Sequence, residues 1–230
     1  IALGKIKITP GIRFDYAGLP KKPAISTQTP SVYTNDYFNN VNISPRIGFN
    51  WDMKGDRTLV VRGGTGVFVG RIPFAWLGYA YYNDGVGFGS YDVNNIAGKN
   101  VGDVLANGAK TFSFNNGQKN LVQTDVITNG FKMPKVWRTN VAIDKTIQGY
   151  KFTLEGLYTQ VLTDLMFEQI NFKTDASSYS FFSYDSNKEM PIYNGVKLNS
   201  NLSNAYALSN TDKGYRYSYT VSVNKKYTFG

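Results

Sequence analysis

The chain predicts an all-β fold: an antiparallel, up-and-down transmembrane β-barrel segment of about six strands that belongs to a larger barrel. Three observations predict it. Apolar and polar residues alternate with a period of two in several separate stretches, which gives each stretch one apolar and one polar face. Short turns alternate with long loops along the chain. Aromatic residues gather at the ends of the alternating stretches, where a bilayer has its interfaces.

The first strand is read near residues 5–16. Ile6, Ile8, Pro10, Ile12, Phe14 and Tyr16 occupy one face, and Lys5, Lys7, Thr9, Gly11, Arg13 and Asp15 the other. A slip of one residue would turn Lys5, Lys7 and Arg13 toward lipid, at about 2–4 kcal/mol per cation near the midplane, so the register is well specified. Pro10 donates no ladder hydrogen bond and suits an edge or a bulge as readily as a regular strand. Residues 17–43 hold Pro20, Pro23 and Pro30 without a sustained period and read as a loop.

A hairpin follows, with strands near 44–52 and 57–70. Pro45, Ile47, Phe49 and Trp51 alternate with Arg46, Gly48, Asn50 and Asp52, and Lys54-Gly55-Asp56 turns the chain. The second arm sets Leu59, Val61, Val67 and Val69 against Thr58, Arg62, Gly64 and Gly66. Residues 71–135 form the longest loop, aromatic-rich at its start, with one short helical turn expected over Asn100–Gly108.

The alternation returns near 136–146, turns at Gln148-Gly149 and continues near 150–163, where Leu157 breaks the polar side. Residues 164–213 read as a third long loop, although Met166–Phe172 keeps enough strand character to extend the preceding strand. The last strand is read near 214–226, with Tyr215, Tyr217, Tyr219, Val221 and Val223 on one face. Trp51, Tyr150 and Phe152 flank the short turns, whereas Tyr16, Trp137, Tyr215 and Tyr217 flank the long loops. Structureless loops this long count against a compact soluble domain. Short periplasmic turns and long extracellular loops are what an outer-membrane barrel shows.

Composition removes several classes of chemistry. The 230 residues contain no Cys and no His, which excludes disulfides, thiolate sites, His-ligated zinc and most catalytic triads. No catalytic residue, cofactor or metal is expected, and nothing beyond scattered loop carboxylates, such as Asp164 with Glu168, suggests an enzyme. Asn83-Asp84-Gly85 and Asp92-Val93-Asn94-Asn95 offer oxygen ligands at a spacing that matches no EF-hand. The Gly63-Gly64-Thr65-Gly66 cluster lacks phosphate-loop spacing and marks a bend or a close backbone approach. The net charge of +9 favours no nucleic-acid partner, because the cations lie on the strands' polar faces.

Two groups of residues are candidates for recognition. The polar face carries Lys5, Lys7, Arg13, Arg46, Arg62, Arg138, Lys151 and Arg216 against Asp15, Asp52, Asp144 and Glu155. This wall either docks an acidic plug or guides an anionic substrate, or it is a plain charge ladder facing water; Arg13, Arg46, Arg62, Arg138 and Arg216 are the plug- or lumen-facing candidates. In the longest loop Trp76, Tyr79, Tyr81, Tyr82, Phe88 and Tyr91 are the ligand-binding candidates, able to stack on a sugar or hydrophobic ligand or to pack the loop on its neighbours.

The segment SPRIGFNWDMKGDRTLVVRGGTGVFVGRIPFAW resembles the barrel region of TonB-dependent outer-membrane transporters of the Oar-like group of Bacteroidetes, and MPKVWRTNVAIDKTIQGYKFTLEGLYT is similar to that family's next hairpin. The two blocks cover roughly residues 44–76 and 133–173. The resemblance implies a barrel of about 22 strands in the bacterial outer membrane, filled by a plug and energised through the TonB complex. These residues would then be an internal barrel segment without its plug, TonB box or N-terminal domain. Its partners would be outer-membrane lipid, the protein's own plug, the TonB complex and a capping surface lipoprotein. The expected role is the wall and extracellular loops of a transporter that takes up a siderophore, glycan or peptide nutrient. A passive porin or surface-adhesion barrel is the alternative, and a soluble β-sandwich binding module is a third reading.

Overall fold

The computed structural model describes residues 1–29, 39–85, 122–185 and 188–225, together with Gly102 and Tyr227. In chain order its elements are β1 (Ala2–Leu3), β2 (Ile6–Gly18), β3 (Asn39–Asp52), β4 (Leu59–Val69), α1 (Phe74–Tyr82), β5 (Val122–Ile127), β6 (Lys135–Ile147), β7 (Tyr150–Gln169), β8 (Tyr179–Asp185), β9 (Lys188–Tyr193), β10 (Leu202–Thr211) and β11 (Tyr215–Lys225). The fold is all-β, with α1 its one helix of more than a single turn among the described residues. The helix is too short to cross a membrane.

β2, β3, β4, β6, β7 and β11 form an antiparallel meander, with β1 a short strip on β2. Among the described residues the sheet is open, with β11 free along one edge and β2 covered on its outer side only by β1. Cross-strand partners share a face, so the register tests the alternation directly. Ile8 pairs with Phe49, Trp51 with Val61, Val61 with Ile143, Ile143 with Leu154, and Leu154 with Val221. One face is therefore apolar from β2 to β11, and it is uncovered: Tyr219 is 78% and Val221 75% exposed, and Phe14, Ile47, Val141 and Leu154 are all exposed.

Both hairpin turns form where the sequence placed them. Gln148 and Gly149 both take positive φ, 49° and 79°, the mirror-image geometry that matches the strands' own twist. At the first turn Gly55 (φ 87°) and Arg57 (φ 61°) reverse the chain around Asp52. The Asp52 carboxylate accepts the Gly55 N–H at 2.8 Å and the Arg57 N–H at 3.0 Å, so its charge is spent on the turn.

Several boundaries move. β3 begins at Asn39, not near 44, because Gly18 pairs with Asn39 and the alternation of Val41 and Ile43 continues through an Asn-rich stretch that reads as loop. The β2–β3 register runs unbroken through Pro10, so no bulge forms there. The stretch 71–135 contains α1 and β5, and 164–213 contains β8, β9, β10 and the end of β7, so neither is structureless. The expected turn of helix at Asn100–Gly108 lies, apart from Gly102, outside the described residues. β5 pairs parallel with β10, a departure from the expected purely antiparallel pattern.

β7 is the spine. Its 20 residues reach roughly 65 Å, about twice what a bilayer core needs. Met166–Gln169 does continue the strand, as its pattern suggested. Tyr215 pairs with Gln160 on β7 and Thr211 pairs with Asp164, so β11 and β10 keep one register along β7, broken only at Asp212–Gly214. Gly214 sits there at φ 128°.

The phase of β7 inverts near this break. Up to Tyr158, Phe152, Leu154 and Tyr158 mark the apolar face, while Lys151, Thr153, Glu155 and Thr159 mark the polar one. Beyond Gln160 the apolar residues Val161, Leu165 and Phe167 fall on the side that was polar. Leu165 packs there against a core of Ile72, Leu77, Ala80, Ile127, Phe131 and Leu208, over which α1 lies. Each fully buried aliphatic side chain contributes about 1.5–3 kcal/mol. The meander thus leaves its apolar face open, whereas the extension covers its apolar face with protein.

Candidate functional site

The five candidate arginines separate into three arrangements. Arg13 turns to its own strand neighbour, donating from Nε and Nη2 to Asp15 Oδ1 at 2.8 and 2.6 Å on an exposed part of β2. Arg62 enters a closed network. Its Nε lies 3.1 Å from Asp144 Oδ2 and its Nη2 3.7 Å from Glu155 Oε2, with Lys151 Nζ 3.2 Å from the same Asp144 oxygen. Thr153 donates to Asp144 at 2.7 Å and Asn140 to Glu155 at 3.1 Å, so this end of the polar face is a satisfied charge ladder.

Arg46, Arg138 and Arg216 behave differently. Arg46 pairs with Gly66, Gly66 with Arg138, Arg138 with Thr159, and Thr159 with Arg216. The three arginines therefore occupy one row across five strands, each two strands from the next, or about 10 Å. None of them makes an ion pair among the described residues. Arg138 Nε donates weakly to Thr159 Oγ1 at 3.3 Å.

Gly66 explains how the row is built. A Cβ there would lie 2.8 Å from Arg46 Cγ and from the Pro45 carbonyl oxygen, so only glycine leaves room for Arg46 to lie across β4. The Arg46 guanidinium then sits over the Phe68 ring, 4.3 Å from its centroid, and Arg138 approaches the same ring at 5.7 Å. Gly63 serves the opposite face, where the Phe49 ring would be 3.0 Å from an added Cβ. The glycine cluster is thus the close approach expected of it, made by neighbouring strands.

Two grooves run along this row. One of about 420 Å³ is lined by Arg46, Gly48, Gly64, Phe68, Arg138 and Leu157. The next, about 550 Å³, shares Arg138 and Leu157 and continues to Asp164, Lys213, Tyr215 and Arg216. Phe68 and Lys213 were missed from the sequence, Phe68 because it looks like one more apolar strand residue and Lys213 because it sat in a stretch taken as loop, while Asp164 was noted only as a loop carboxylate beside Glu168.

The aromatic candidates do not converge on one cavity. All four described members lie on α1, where Leu77 and Ala80 face the core. Trp76 packs on Phe167 at 5.9 Å, and Phe167 stacks on Tyr206 at 5.0 Å, so Trp76 holds the helix to β7 and β10. The Tyr81 hydroxyl donates to the Lys21 carbonyl, tying α1 to the loop after β2. Tyr79 and Tyr82 are exposed. Phe88 and Tyr91 lie outside the described residues.

The loop carboxylates have structural partners. Asp125 on β5 accepts from Asn83 Nδ2 at 2.6 Å and from Gln123 at 3.1 Å. Burial raises its carboxyl above the ordinary carboxylate value, even against those hydrogen bonds. Among the described residues no three acidic, His or Cys side chains gather as metal ligands. Asp92–Asn95 lies outside the described residues. No family model matches the chain, and no curated protein matches it.

Proposed function

We propose that this chain forms wall and outward-facing loops of a TonB-dependent outer-membrane transporter that takes up a nutrient ligand. The observation that carries the membrane part is the inversion on β7. Below Gln160 the apolar face is uncovered across six strands; above it the apolar side switches and is roofed by α1. Soluble proteins rarely leave contiguous apolar patches beyond a few hundred Å² open to water. A lipid-facing wall that rises into a water-exposed, protein-covered extension accounts for both halves of the strand.

Lys145 supports the same boundary at the other end. It pairs with Phe152 and Leu59 on the apolar face, in the last rows before the turns, where a long cation can reach the interface. The open edge of β11 needs a further strand in lipid, since a bilayer core offers no hydrogen bonds to free backbone groups. That need favours a barrel larger than six strands. The transporter assignment itself rests on the family resemblance of the hairpin at β3 and β4.

The test has two parts. The intact protein should enter lipid vesicles and show heat-dependent electrophoretic mobility; a monodisperse, detergent-free fold would overturn the wall reading. Uptake by cells carrying the protein should collapse when the inner-membrane proton gradient is discharged. Uptake that survives discharge would point instead to a passive porin.

A further inference from the structure

We infer that the row Arg46–Arg138–Arg216 is a binding groove for an extended dicarboxylate ligand, one with two carboxylates joined by a largely neutral spacer. The inference deepens the wall reading above and rests on it for the groove's place in a barrel interior. The two grooves adjoin at Arg138 and Leu157 along the polar face.

The first anchor lies at Phe68. Two guanidinium groups converge on that ring, at 4.3 and 5.7 Å from its centroid, without a carboxylate between them among the described residues. Like charges held over one ring repel, and Arg46 Nε is in addition buried without a hydrogen-bond partner. A carboxylate placed between them relieves the repulsion and accepts from fork-shaped donors whose geometry it matches. Gly48 and Gly64 leave the floor beside this anchor without side chains, so a ligand chain can lie close to the sheet.

The second anchor is Arg216 with Lys213, both exposed, in the adjoining groove. Arg138 belongs to the first anchor and lies two strands, about 10 Å, from Arg216, which sets the shortest separation of the two anions. Between the anchors lies Thr159, flanked along β7 on the same face by the apolar Leu157 and Val161. Asp164 stands in the same groove and opposes dense negative charge. An uncharged middle, cationic ends and one acid suit two monoanionic carboxylates on a spacer better than a polyphosphate.

The contrast with Arg62 makes the row specific. Three strands supply the Arg62 network with as many acids as cations, while two rows away Arg46, Arg138 and Arg216 make no ion pair among the described residues. A ladder that merely faced water would need no such division.

Calorimetric titration of the intact protein, in whichever medium keeps it monodisperse, tests the inference with three probes: suberate, its monoamide of equal length, and succinate. Suberate is expected to bind at least tenfold more tightly than either of the others. Arg216→Gln should reduce suberate to the level of the monoamide, and Arg138→Gln should weaken both; Arg138→Lys should recover part of the loss. Lys7→Gln, on the same face outside the groove, should change nothing. Equal affinity for the three probes, or suberate binding untouched by Arg138→Gln and Arg216→Gln, overturns the inference. Circular dichroism of each variant separates lost folding from lost binding, and the lysine variant keeps the test decisive if a glutamine variant fails to fold. Vesicle insertion without suberate binding counts against the groove alone; binding without insertion counts against the wall alone.

Discussion

Replacing Val141 with arginine separates a lipid-facing wall from a water-facing sheet by the sign of its consequence. Val141 lies on the apolar face in the row Phe49–Gly63–Val141–Gly156–Tyr219, midway between the rows that hold Lys145 and Trp137. From Phe152 to Gln160 the band spans eight residue steps on β7, about 27 Å along the strand, so in a lipid-facing wall Val141 would stand near the centre of the bilayer core. An arginine there costs about 2–4 kcal/mol in a transmembrane barrel, or roughly a 30- to 1,000-fold drop in the folded-to-unfolded ratio. In water the same half-exposed position would take arginine within about 0.5 kcal/mol. Val223→Arg provides the internal control, because Val223 shares the row of the natural Lys145 and an interfacial arginine costs only about 0–1 kcal/mol. Reversible denaturant unfolding of the intact protein from lipid vesicles measures both. Equal, small effects for the two variants would refute the lipid-facing assignment of this face.

Gly66→Ala should displace Arg46 from Phe68 and strain the β3–β4 pairing by about 1–3 kcal/mol, because the new Cβ meets backbone at 2.8–2.9 Å; Gly48→Ala, whose nearest neighbour is 3.6 Å away, should be tolerated in the same unfolding assay. Trp76→Ala should loosen the extension by about 0.5–1.5 kcal/mol through the lost packing on Phe167, read as faster proteolysis within α1, while vesicle insertion stays intact. Asp125 supplies a pH signature. Its folded-state value is raised, so the native state binds the proton more tightly than the unfolded chain, and its contribution to stability is present below the ordinary value of 3.8 and lost as pH rises through the folded value. Asp125→Asn should therefore flatten the stability profile just above pH 3.8 and leave the variant more stable than the parent near neutrality.

What the sequence made legible follows from where one local rule suffices. Alternation of Ile6 through Tyr16 and of Tyr215 through Val223 reports the environment on each side of a strand, and the register pairs the six strands face for face. The turns at Lys54–Asp56 and Gln148-Gly149 carry their own chemistry and needed no tertiary information. The continuation of β7 past residue 163 was legible in Met166–Phe172, but what covers it was hidden, because Leu165 and Phe167 lie out of phase with Leu154 and Tyr158 and alternation alone does not say what packs on them. α1 was hidden for a related reason: Phe74–Tyr82 is apolar nearly all round, so it shows no helical stripe, and only its contact with Ile127 and Leu208 selects Leu77 and Ala80 as the buried side.

The arginine row shows the limit most sharply. Composition and alternation put Arg13, Arg46, Arg62, Arg138 and Arg216 on one face, and there they look equivalent. Their difference lies in cross-strand register: Asp144 and Glu155 fall within reach of Arg62, whereas the row of Arg46, Arg138 and Arg216 is completed by Gly66 and Thr159. Neutralising Arg62 would leave Asp144 with Lys151 as its remaining cation and disturb a closed network. Neutralising Arg138 removes a charge that balances nothing among the described residues. A loss of stability is thus expected from Arg62→Gln and little from Arg138→Gln, since removing one partner of a half-buried pair strands the other, while removing one of two like charges over Phe68 relieves repulsion.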